Sequence, residues 1–216
     1  MTSRKTAPRR LVVNPEDPEA SVLAEAARIL RAGGLIGLPT ETFYALAADG
    51  LSREAVSRAL SAKGRDTSKP AGLLVADAEM VSVAAERIPD GARSLMERFW
   101  PGPLSLILSG KKGLPPGVLG ERGGVSVRLP ASAVAVGLIR LLGIPVTATS
   151  ANRAGDPPPR TADEVLRGLG ESVEAVLDAG EAPGGLPSTL VDARGESPVL
   201  LREGGIPWEE VVACTG

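Results

Sequence analysis

Cations set among loop-forming residues mark the segment with the densest chemistry in this sequence. Lys63, Arg65 and Lys69 fall within seven residues, interleaved with Gly64, Thr67 and Ser68 and followed by Pro70. Arg grips two oxygens at once and Lys supplies a mobile point charge, so the set suits phosphate oxygens. The bland alternative is a group of cations complementing the C-terminus of a preceding helix. A second stretch begins where Pro39 stops a short apolar run and Thr40, Glu41 and Thr42 follow. Ligands collect at the carboxyl ends of strands in α/β sheets, but a Thr that caps the next turn gives the same pattern. Arg128 sits in an apolar strand and Arg202 ends another. A guanidinium there is paired at a sheet edge, exposed, or bound to a ligand. Ser150 and Asn152 place small polar groups where a strand stops, and Ser188 opens a strand beside Thr189.

Composition narrows what these groups can do. The chain has 216 residues, no His, one Cys and a net charge of -2. Without His there is no Ser-His-Asp triad and no imidazole acid or base. A single Cys, Cys214, allows neither an intrachain disulfide nor a Cys-based zinc site and is taken as a bystander. Near-neutral charge and few aromatics argue against nonspecific coating of nucleic acid. No apolar run approaches the roughly 20 residues of a membrane-spanning helix. The generic P-loop and dinucleotide fingerprints are absent. Ser109-Gly110-Lys111-Lys112 fits a Ser-x-x-Lys pattern but reads as a solvated turn.

These groups must be held by alternating helices and strands. Helices are expected from Asp17-Pro18 to Gly33, over 52–62, over 77–87, up to Phe99, over 131–142, from the Thr161/Glu164 capping box to Leu169, and over 207–213. Strands are expected over 35–38, 71–76, 104–108, 125–129, 145–149, 173–177, 188–192 and 199–202. Residues 1–10 read as a disordered basic tail and 11–216 as one domain. The fold class is α/β (α+β), with a large twisted mixed β-sheet flanked by helices.

Seven segments in order, PTETFYALAADG, KGRDTSKPAGLLV, FWPGPLSLIL, VSVRLP, TSANRAGDPP, PSTLVD and LLREGGI, resemble the YrdC-like threonylcarbamoyl-AMP synthases. The resemblance covers nearly the whole chain and looks like the short form of that family. It implies that L-threonine, bicarbonate and ATP give threonylcarbamoyl-AMP and pyrophosphate, and that a partner transferase then modifies tRNA. Carried over, Lys63, Arg65, Lys69, Ser150, Asn152 and Arg202 would bind ATP. Thr40, Arg128 and Ser188 would hold threonine, and Mg2+ would ride on the triphosphate. Glu41 is a candidate general base or a structural ion-pair partner, and no base is assigned. A cytoplasmic enzyme is implied. A noncatalytic RNA-binding module of the same fold and a carbamoyl-adenylate-handling paralogue are the alternatives. The sequence departs from the family at Ala45 and Ala47, where Gly is usual, at Leu74, near which some members carry His, and at Pro158, where some have Ser.

Overall fold

Short apolar strands with opposite faces buried in different cores set the architecture. The computed structural model describes residues 7–64 and 70–215. Ten strands are found among them: β1 Arg9–Val12, β2 Ile36–Leu38, β3 Ala45–Ala47, β4 Gly72–Leu74, β5 Leu104–Ser109, β6 Gly124–Arg128, β7 Val146–Ser150, β8 Ala175–Asp178, β9 Thr189–Asp192 and β10 Val199–Arg202. They form one mixed sheet in the order β1-β8-β2-β3-β7-β4-β6-β5-β9-β10. The β1/β8, β8/β2, β4/β6 and β5/β9 pairs are parallel. Strand β7 is the seam, pairing antiparallel with β3 on one side and β4 on the other.

Seven α-helices among the described residues cover the sheet: α1 Ala20–Arg31, α2 Arg53–Ala62, α3 Val81–Ala84, α4 Asp90–Phe99, α5 Ala133–Leu142, α6 Ala162–Leu169 and α7 Trp208–Thr215. Successive strand residues point to opposite sheet faces. Ala175 and Leu177 therefore pack with α1 and α5, while Val176 packs with α2 and α6. Leu73 likewise joins the core under α4 and α7, and Leu74 the core under α1 and α5.

The local signals act as chemistry demands. Ser52 caps α2 through Ala55 N at 3.2 Å, and Ser132 caps α5 through Ala135 N at 3.3 Å. The Thr161/Glu164 capping box is present in full. Gly143 ends α5 with φ of 75°, a left-handed conformation that glycine adopts without strain.

Three expectations need correction. Arg9 and Arg10, assigned to a tail, lie in β1 and pair with Ala175 and Val176. The helix expected over 77–87 shrinks to the four residues of α3. Asp77 Oδ1 takes the amide of Met80, and Ala85 leaves the helix to bridge Gly110, so tertiary backbone pairing wins over helix extension. Helix α1 starts at Ala20, because Asn14 Oδ1 accepts from the amides of Glu16 and Asp17 and holds that stretch in a turn, leaving Glu19 as the residue before the helix.

Candidate functional site

Two polar clusters form where the sheet strands hand over to loops. The first centres on Lys63, the residue that closes α2. Its side chain is buried, and its Nζ donates to Asn152 O at 2.7 Å, to Asn152 Oδ1 at 3.2 Å and to the Ser150 main-chain oxygen. The Lys63 carbonyl accepts from Ala154 N at 2.8 Å. Asn152 Nδ2 in turn donates to Asp156 O at 2.6 Å, which folds the turn after β7. Lys63, Ser150 and Asn152 are thus together, with the ammonium shaping the turn. Arg65 and Lys69 lie outside the described residues.

The second cluster joins Glu41, Arg128, Ser105, Ser188 and Arg202. Arg128 is 8% exposed, and its Nη2 donates to Glu41 Oε2 at 3.4 Å. Burial pushes its guanidinium below the usual range, opposed by Glu41 and reinforced by the like charge of Arg202. Arg128 Nε and Glu41 Oε1 are buried without a hydrogen-bond partner among the described residues. Ser188 Oγ lies 2.9 Å from Ser105 Oγ, and Arg202 Nη2 donates to Ser188 O at 2.8 Å. Arg202, carried over from the family as an ATP contact, is therefore seated beside Ser188, one of the residues expected to hold threonine.

Thr40 is buried in the adjoining loop. Its Oγ1 donates to Phe43 O at 2.7 Å and accepts from Thr42 N at 3.2 Å, so the hydroxyl folds the loop that presents Glu41. A cavity of about 200 Å³ opens beside this loop, lined by Pro39, Thr40, Glu41, Ser132, Gly180 and Ala182 among others. Clefts for drug-sized ligands run roughly 300–1,000 Å³, so this one suits a smaller molecule.

Several positioning residues escaped the sequence reading. Gly102 N bonds Leu129 O, and Pro103 O accepts from Thr189 N, both at 2.9 Å, so the FWPGP turn staples the flanks of Arg128 and Ser188 together. Thr189 Oγ1 donates to Ile206 O at 2.6 Å and accepts from Gly204 N at 3.0 Å. Tyr44 is fully buried; its hydroxyl donates to Gly180 O at 2.7 Å and accepts from Ala179 N at 3.3 Å. Ser105 had a visible signal, a polar residue on an otherwise apolar strand. Thr189 showed only as a second hydroxyl beside Ser188 and Tyr44 gave no signal, because their partners are backbone atoms of other segments. Of the departures from the family, Ala47 and Leu74 are buried in the α1/α5 core, Ala45 is buried opposite Ser150, and Pro158 is exposed. Among the described residues, no group of three or more His, Cys, Asp or Glu could hold a metal. No helix among them is long and apolar enough to cross a membrane.

A family profile for Sua5, YciO and YrdC proteins, described as "Telomere recombination", matches residues 28–204. The chain belongs to this Sua5/YciO/YrdC family. It is 41% identical over 191 residues to the threonylcarbamoyl-AMP synthase of Pyrococcus abyssi, covering 88% of this chain and 56% of that protein. It is 37% identical over 202 residues to a putative threonylcarbamoyl-AMP synthase of Mycobacterium tuberculosis, covering 93% of each. The chain spans little more than half of the P. abyssi and Bacillus subtilis relatives, 56% and 58%. Among solved structures, P. abyssi Sua5 complexed with L-threonine matches with a TM-score of 0.91 and 39% identity, over 96% of this chain and 61% of that one. Escherichia coli YciO matches with a TM-score of 0.83 and 26% identity, over 93% of this chain and 97% of that one. A full-length HypF, at 19% identity and a TM-score of 0.74 over 84% of this chain and 29% of that one, shares the Sua5/YciO/YrdC fold alone.

Proposed function

We propose that this Sua5/YciO/YrdC protein makes threonylcarbamoyl-AMP and pyrophosphate from L-threonine, bicarbonate and ATP. The observation that carries the reading is a buried guanidinium, Arg128, with an unsatisfied Nε, in a chain that superposes on threonine-bound P. abyssi Sua5. Its partner in the free protein is a carboxylate, Glu41, so the α-carboxylate of an amino acid matches its chemistry.

In the proposed reaction the threonine amine attacks the carbon of bicarbonate, and water leaves as the carbamate forms. A carbamate oxygen then attacks the α-phosphorus of ATP, and pyrophosphate departs with the bonding pair. No covalent enzyme nucleophile is needed. The protein aligns three substrates and offsets the triphosphate charge, which places the burden on positioning and electrostatics. Arg128, Ser188 and Thr40 would hold threonine. The turn shaped by Lys63, Ser150 and Asn152 would face the nucleotide, together with Arg65 and Lys69. Arg202, seated on Ser188, would stand between the two substrates. Magnesium would arrive on the triphosphate and screen its charge. Transfer to tRNA by a partner protein in the cytoplasm completes the proposal.

The test is pyrophosphate release by purified protein with ATP and magnesium. Release that requires both threonine and bicarbonate is expected. Release no greater than with ATP alone would refute the reading.

A further inference from the structure

The ion pair between Arg128 and Glu41 is loose and incompletely used. Charge-assisted N–H···O bonds close to about 2.7–2.9 Å. Here Nη2 stays 3.4 Å from both carboxylate oxygens and bonds only Oε2. Two valences are left over, and they are of opposite kind. Arg128 Nε is a donor without an acceptor, and Glu41 Oε1 an acceptor without a donor, among the described residues. Unmet buried groups of this sort are rare, and in a candidate site they mark where a ligand or a water would bond.

The two leftover valences specify that ligand. A simple anion would satisfy Nε but meet the negative charge of Glu41. A simple cation would satisfy Oε1 but meet Arg128, with Arg202 behind it. A molecule carrying an acceptor anion and a donor cation a few bonds apart satisfies both and can enter the pair as it opens. An α-amino acid with both ends free is that molecule.

We propose that Glu41 and Arg128 act as a two-ended receptor for the amino acid, with Arg128 taking the α-carboxylate and Glu41 the α-ammonium. This deepens the proposed function and rests on threonine being the substrate. Glu41 then holds the nitrogen as its ammonium, which must release a proton to solvent before it attacks, and the Thr40 hydroxyl, which folds the loop that presents Glu41, sets where that nitrogen sits. Peptides acylated at the amine and amides of the carboxylate are both excluded by the same pair.

The experiment is titration calorimetry of wild type and Glu41→Gln with two ligands. One is L-threonine; the other is 2,3-dihydroxybutanoate, in which a hydroxyl replaces the ammonium at nearly constant size. Wild type is expected to favour threonine by roughly tenfold or more, the usual scale for a bond to a charged group. In Glu41→Gln that preference should collapse, because threonine loses its ammonium partner while the hydroxy acid, no longer facing the carboxylate charge, binds as well or better. Glu41→Asp, which keeps the charge, should keep the preference and guards against a misfolded Gln variant. A preference unchanged in Glu41→Gln, or tighter threonine binding there, overturns the assignment and makes Glu41 a mere occupant of the Arg128 site. Equal binding of the two acids by wild type overturns the role of Glu41 alone. A folded wild type that binds neither overturns the proposed function with it.

Discussion

Replacing Lys63 by methionine would keep the length of its buried stem and remove the ammonium. Four oxygens, two on Ser150 and two on Asn152, would each lose a charged donor. Leaving a buried acceptor without its donor costs about 1–3 kcal/mol, and several acceptors are affected here. Some of that loss is offset here, because Ser150 and Asn152 are half-buried and water can reach them, so about 3 kcal/mol is the working figure. In a domain of this size each kcal/mol lowers Tm by about 2–4 °C, so a fall of roughly 6–12 °C is expected. Thermal unfolding followed by circular dichroism measures it, and ATP titration on the same samples below Tm measures the nucleotide side. A solvent-facing phosphate ligand would behave differently, since such substitutions stay within about 0.5 kcal/mol. A Tm within about 2 °C of wild type, together with lost ATP binding, would refute the view that this ammonium builds the turn.

Tyr44 is the only tyrosine, so phenolate absorbance reports it alone. Burial pushes its hydroxyl up to about 12, from an ordinary value near 10. Such a raised group stabilises the fold fully below pH about 10 and loses that contribution, about 3 kcal/mol, as pH rises through about 12. The folded protein should titrate near 12 and the denatured chain near 10; coincident curves would contradict the buried bridge to Gly180. At Gly204, a methyl group would meet Pro187 O at 2.1 Å and the Ser188 carbonyl carbon at 2.7 Å. Both contacts are backbone, so Gly204→Ala should displace Ser188 and raise the threonine KM roughly tenfold or more while the ATP KM moves little. Equal changes in both constants would argue for general unfolding instead.

Much of the frame was legible because its causes are local. Ser52, Ser132, Thr161 and Gly143 start or stop helices by contacts within their own turns, and alternation in 104–108 and 125–129 marks buried strands. β1 and β3 were not legible. The short β3 has no stretch long enough to show a period, and β1 is a strand only because Ala175 and Val176 lie beside it. The polar residues of the site stood out by type at Thr40, Lys63, Arg128, Ser150, Asn152, Ser188 and Arg202. Their grouping did not, since nothing near Arg202 in sequence indicates that it rests on Ser188. The reach of Lys63 was also hidden, because its partners belong to the turn after β7.

Several ties in and beside the two clusters are long in sequence. Glu41 to Arg128 spans 87 residues, Lys63 to Asn152 spans 89, Ser105 to Ser188 spans 83 and Tyr44 to Gly180 spans 136. Contacts of this kind form only after large loops have closed, so a partly folded chain carries neither cluster. The first cluster is tied to Ser150 at the end of β7, and the second draws together β5, β6, β10 and the loop after β2, so each rests on strands distant in sequence. A molecule gripped by these residues would therefore oppose global unfolding directly, raising the stability of the whole domain by RT ln(1 + [L]/Kd) rather than merely quieting a loop.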